Sequence, residues 1–379
     1  MFALSTKPKA RLLKRPFTYA RWLIPLCLVI LGACHRSPEV QFFGDQEYPQ
    51  KLSAWGLMQL DNQLIRLPSE QQVYELNTPL FTDYALKLRT LYLPVDTSIS
   101  YRATDAFDFP VGSIISKTFF YPVNSSGAIA LQSSWNGNPH DIDLSVHRLI
   151  ETRLLVRQPQ GWDALSYIWR NGEAYLSIIG DLITLPVDDG SELNYLVPSR
   201  NQCAGCHAEN HTHGTIHPIG LKARHLNRPH PIHARNQLLN WQQSGDLSGA
   251  PQPALIPRNA RWGENNGDLN LRARAYLDIN CGHCHNPRGA ADTSGLMLDH
   301  QASDPAHLGV CKPPIASGRG SGGHLYDIVP GNPELSILAY RMSTTDPAAM
   351  MPELGRARVH REGLTLIEDW IASLSGVCL

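Results

Sequence analysis

The 379-residue chain reads as a multidomain protein: a mainly-β, sandwich-like domain over residues 49–197, followed by two mainly-α modules over 198–250 and 251–379. Three observations predict this. Up to residue 197, β-branched and aromatic residues alternate with polar ones between turn dipeptides. From residue 198 the texture changes to cysteine, histidine and short helical patterns. The string C-x-x-C-H occurs once in each module, as Cys203-Ala204-Gly205-Cys206-His207 and as Cys281-Gly282-His283-Cys284-His285.

Residues 1–33 have the layout of an export signal. Lys7, Lys9, Arg11, Lys14, Arg15 and Arg21 precede the apolar run Trp22–Leu31, which Pro25 interrupts and which falls short of the about 20 residues a membrane-spanning helix needs. The run ends in Leu31-Gly32-Ala33-Cys34, similar to the lipobox of bacterial lipoproteins. That resemblance implies a lipid on Cys34 and a periplasm-facing place at the outer membrane; an ordinary cleaved signal or an uncleaved anchor is the alternative. Residues 34–48 then read as a tether. The formal net charge of −1 excludes overall charge-driven binding to nucleic acid, so the membrane contact expected is through the lipid.

Within the β-rich domain, Tyr84–Leu93, Ser113–Tyr121 and Leu149–Val156 carry strand patterns, in a sandwich or curved sheet of about eight strands. Asn171-Gly172 supplies the positive φ values of a type I′ hairpin turn, and Asp189-Gly190 is read the same way. In the modules, residues 234–242 form the first packing helix. Residues 271–280 run as a helix into Cys281. Leu366, Ile367, Trp370, Ile371 and Leu374 share one face of a final helix, which makes Trp370 a packing residue.

C-x-x-C-H is the attachment pattern of c-type haem: two thiols bond the porphyrin's vinyl groups and the histidine ligates the iron. Chance placement in this composition gives on the order of 0.01 such strings, so two point to two covalently bound haem c groups. Cys203, Cys206, Cys281 and Cys284 are then the attachment residues, and His207 and His285 the proximal iron ligands. A structural zinc site is the competitor, but its cysteine pairs usually lie about 15–20 residues apart, and these lie much further.

For the second haem, Met351, followed by Pro352, is the expected distal ligand, with Met350 as competitor. A thioether there raises the reduction potential. The first module holds no methionine but is rich in histidine: His211, His213, His217, His225, His230 and His233. Its distal ligand stays unassigned, with His217 and His225 as candidates and Met58 or an open iron as alternatives. Lys222 and Arg224 are candidates to pair with haem propionates, ordinary surface charge being the alternative. Cys311 and Cys378 are left over, and in an oxidising compartment they read as a disulfide or as two separate buried thiols.

The strings Pro198–His207, Ile219–Asn227, Tyr276–His285, Ile328–Glu334 and Met350–Gly355 together resemble a family of bacterial dihaem cytochromes c, with C-terminal modules similar to planctomycete-type cytochrome c domains. The resemblance implies two haem modules and one-electron transfer with a redox partner protein that the sequence does not name. Two alternatives are a haem enzyme of peroxidase or oxidoreductase type with an open first haem, and a redox-linked binding protein.

Overall fold

The strand patterns fold into one antiparallel meander in this computed structural model, which describes residues 1–5, 39–44, 47–209, 214–264, 267–315 and 317–379. Its strands are β1 (Gln71–Val73), β2 (Leu86–Tyr92), β3 (Ile114–Pro122), β4 (His147–Gln158), β5 (Gly161–Arg170) and β6 (Glu173–Leu176), each paired with the next. Because side chains alternate across a strand, the register splits the sheet into two different faces. On one, Leu86, Leu88, Leu154, Val156 and Tyr167 pack against Leu52, Trp55, Leu57, Met58 and Ile65. On the other, Leu91 and Ile115 pack against Leu221, Leu226, Trp241 and Ile279 of the helical region.

The sandwich expectation is therefore corrected: the partner layer over the second face comes from the helical region and from a separate hairpin, β7 (Asp181–Pro186) with β8 (Glu192–Val197). That hairpin packs through Leu185, Leu193 and Tyr195 against Phe119 and Ile168. Asn171 and Gly172 have φ values of 51° and 82°, as a type I′ turn requires. Asp189-Gly190 differs. There the loop runs from Val187 to Ser191, only Gly190 of the pair is left-handed at φ 84°, and the Asp189 carboxylate accepts from Ser191 N at 2.8 Å. The longer connection satisfies its own backbone groups through an aspartate side chain instead of a two-residue turn.

The helical region contains α1 (Arg200–His207), α2 (Ala223–Leu226), α3 (Gln237–Ser244), α4 (Leu269–Asn280), α5 (Ile337–Ser343) and α6 (Arg361–Ser373). These helices are short and joined by long loops, so "mainly-α" names only the commoner regular element. Helices α4 and α6 share a core in which Ala273, Tyr276 and Leu277 meet Leu366, Ile367, Trp370 and Ile371. At their closest approach a Cβ on Gly363 would stand 2.4 Å from the Tyr276 hydroxyl, which is why glycine sits there. Trp370 is 2% exposed and donates to Asn270 at 3.0 Å.

Residues 37–379 form one compact unit, so the change at residue 198 is one of secondary structure and not a gap in packing. The stretch read as a tether also docks, since Phe43 meets the Trp55 ring edge-on at 4.9 Å and Tyr48 hydrogen-bonds Asp163. Cys34 and the apolar run lie outside the described residues. No helix among the described residues is long and apolar enough to cross a membrane.

Candidate functional site

Ser199-Arg-Asn-Gln202 starts α1 with a reciprocal capping box, which fixes the helix at the point where the first string begins. Cys203, Cys206 and His207 then fall at i, i+3 and i+4 on one helix face. The second string is built differently. Cys281 caps the C-terminus of α4, and the chain turns, with Cys284 N and His285 N donating to Cys281 O at 3.0 and 2.9 Å. A Cβ on Gly282 would stand 2.7 Å from Asp299 Cα, so this turn needs glycine for room.

The two histidines nevertheless end in the same arrangement. His207 Nδ1 donates to His217 O at 2.8 Å, and His285 Nδ1 donates to Leu296 O at 3.2 Å. A carbonyl can only accept, so Nδ1 carries the hydrogen in each ring and Nε2 keeps its lone pair. Burial pushes both imidazoles down to about 4, so both are neutral near pH 7, as a metal ligand must be.

Each string opens into its own cavity. Cys203, Cys206 and His207 line the first, together with Lys117 and Arg153 of the sheet. Cys281, Cys284 and His285 line the second, together with Met342 and Met351. Cys206, Asn280, His283, Pro352 and Leu354 belong to both. At that shared wall a nitrogen of His283 and the sulfur of Cys206 meet the sulfur of Cys284 from the second cavity, all within 4.8 Å of one another. The Cys206 thiol is pulled down by hydrogen bonding from Cys284 and His283, and Cys284 is pushed up by the same contact. Burial pushes Cys281 up to about 12.

Met351 thus shares a cavity with His285, whereas Met350 is buried outside its lining. Neither His217 nor His225 lines the first cavity. The His217 ring pairs with Glu209 at 3.1 Å, and what it offers His207 is its backbone oxygen. His225, 1% exposed, sits 3.2 Å from the Asp278 carboxylate, which Arg224 also grips at 2.6 and 3.0 Å. Arg224 is therefore committed to α4, which removes it from the expected propionate role. Met58 is buried in the core on the far face of the sheet, and His211 and His213 lie outside the described residues. Cys311 and Cys378 form the disulfide, while Cys203, Cys206, Cys281 and Cys284 are free thiols.

Compared with protein-family models, curated proteins and solved structures, the chain finds no match. Its own donor chemistry fits c-type haem, because each cavity is lined by both cysteines of one string and by that string's histidine, held through Nδ1 with Nε2 keeping its lone pair. Sequence reasoning missed His283 because it stands at a spacer position of the motif. It also missed Met342, which belongs to α5 and reads as core.

Proposed function

We propose that the chain is an exported dihaem c-type cytochrome, held at the periplasmic side of the outer membrane by a lipid on Cys34, that passes single electrons. The observation that carries this reading is the matched tautomer of His207 and His285, each fixed through Nδ1 by a backbone carbonyl beside a free thiol pair. Haem, when attached, supplies an iron that takes up and releases one electron. Cys203 with Cys206 and Cys281 with Cys284 would hold the two groups, and Met351 would offer its thioether to the second.

The rest of the chain keeps those residues in place. Asp83 Oδ1 accepts from Ala357 N and Arg358 N at 2.7 and 2.8 Å, pinning the loop that follows Met351 to the sheet-bearing half. The apolar side chains Leu296, Leu298 and Leu338 line the second cavity. A redox titration of the purified full chain tests the reading: two one-electron components of different potential support it, and one component or none overturns it.

The Cys206, His283 and Cys284 triad favours a second reading, a bound divalent metal such as zinc. The two readings exclude each other at Cys206 and Cys284, since a thioether sulfur is no longer a thiolate. The metal reading leaves Cys203, Cys281 and both proximal-type histidines without a role. One zinc per chain and no haem in the purified protein would establish it.

A further inference from the structure

The second face of the sheet carries a row of basic side chains where it meets the first cavity. Arg89 stands directly across from Lys117, and Lys117 directly across from Arg153, with Lys87 two residues from Arg89 on the same face. Like charges opposite one another destabilise a strand pair; here Lys87 and Arg89 are 6% and 4% exposed, while Lys117 and Arg153 are half-buried. Lys87, Arg89, Lys117, Arg153 and Arg356 all line the cavity, and no carboxylate among the described residues does. The second cavity, by contrast, sets Asp327 and Glu353 against Arg341.

Compensation from behind the wall is partial. Glu75 pairs with Arg89 at 2.9 Å and Glu151 with Arg153 at 2.5 Å. Lys87 Nζ donates to Ala85 O at 2.8 Å. Lys117 makes no hydrogen bond or ion pair among the described residues, and its ammonium lies over the Phe119 ring at 5.2 Å. Arg356, 6% exposed, donates through Nη2 to Arg341 O at 3.0 Å and Thr344 O at 2.8 Å, and its buried Nε has no partner among the described residues. Buried charge persists only when it is paired; Glu75 and Glu151 pair with the two strand arginines, Asp83 acts on Lys87 and Arg356 from further off, and burial pushes the Lys87 and Lys117 ammoniums down, Lys117 to about 7, so an entering anion is what would hold these lysines charged.

We propose that Lys87, Arg89, Lys117, Arg153 and Arg356 form an anion-binding wall of the first cavity that receives carboxylate or other oxyanion groups. If the proposed function holds, on which this assignment of the ligand rests, the carboxylates are the two propionates of the haem on Cys203 and Cys206. A free inorganic oxyanion entering the cavity is the other source of the same chemistry.

The test uses the full chain with haem content measured independently, comparing wild type with Lys117→Gln and the charge-keeping Lys117→Arg. Propionate binding predicts that Lys117→Gln lowers one of the two reduction potentials, leaves the other in place, and is rescued by Lys117→Arg. Binding of a free oxyanion predicts that nitrite shifts the wild-type haem spectrum and binds about tenfold or more weakly to Lys117→Gln. A folded Lys117→Gln protein that matches wild type in both potentials and in its nitrite response overturns the wall. If no haem attaches, the proposed function falls and inorganic phosphate decides this inference separately: a thermal midpoint raised in wild type but not in Lys117→Gln supports the wall, and an equal response overturns it.

Discussion

The sulfurs of Cys206 and Cys284 lie within 4.8 Å of each other, although one belongs to α1 and the other to the turn after α4. Cys284 Sγ also reaches Gly205 O at 3.5 Å. Groups attached through these two sulfurs would meet at a shared wall, the arrangement an electron path needs. Electron paramagnetic resonance of the fully oxidised protein is expected to show two interacting ferric centres. Two independent, unperturbed signals would contradict that adjacency.

Met351 and Met342 both line the second cavity, and the proposed ligand is Met351. Met351→Ala should abolish the sulfur-to-iron charge-transfer absorption and lower one reduction potential, while Met342→Ala should keep the absorption and cost about 2–5 kcal/mol of stability as a core truncation. Absorption spectra and denaturant titrations of the two variants separate these outcomes.

Asp278 joins α4 to α2 by holding Arg224 and His225, all three nearly inaccessible. Asp278→Asn leaves a buried guanidinium without its counter-charge and should cost about 3–5 kcal/mol. Asp278 lines neither cavity, so haem content of the folded fraction should stay unchanged. Urea unfolding together with haem quantification checks both parts.

His360 stacks on Phe81 at 4.2 Å and meets the Tyr276 hydroxyl at 3.0 Å. Burial pushes it from 6.5 down to about 4, with Glu362 opposing and Lys87 adding to the shift. The unfolded chain therefore binds the proton more readily between these values, and stability is lost as pH falls from 6.5 towards 4, by roughly 3 kcal/mol in all. Denaturant midpoints measured across that window should fall in wild type and fall less in His360→Phe.

Local signals made much of this fold legible in the sequence. The alternation over Leu86–Tyr92, the Asn171-Gly172 turn and the stripe through Leu366, Ile367, Trp370 and Ile371 each depend on neighbours a few residues away. Lys87, Arg89, Lys117 and Arg153 were visible as one face of their strands, but alternation does not say what covers a face, and such charges read as solvent-facing. His225 looked available as a ligand because its partner, Asp278, lies on another helix. His217 was found for the wrong atom: its backbone oxygen, not its ring, holds His207.

Haem stoichiometry, by intact-mass and haemochrome analysis of the full chain matured in an oxidising compartment, decides whether the two strings carry haem. Two covalent haems per chain are expected, and one after changing Cys203 and Cys206 together to serine. A chain without covalent haem that instead retains one zinc, lost on changing His283, would contradict it.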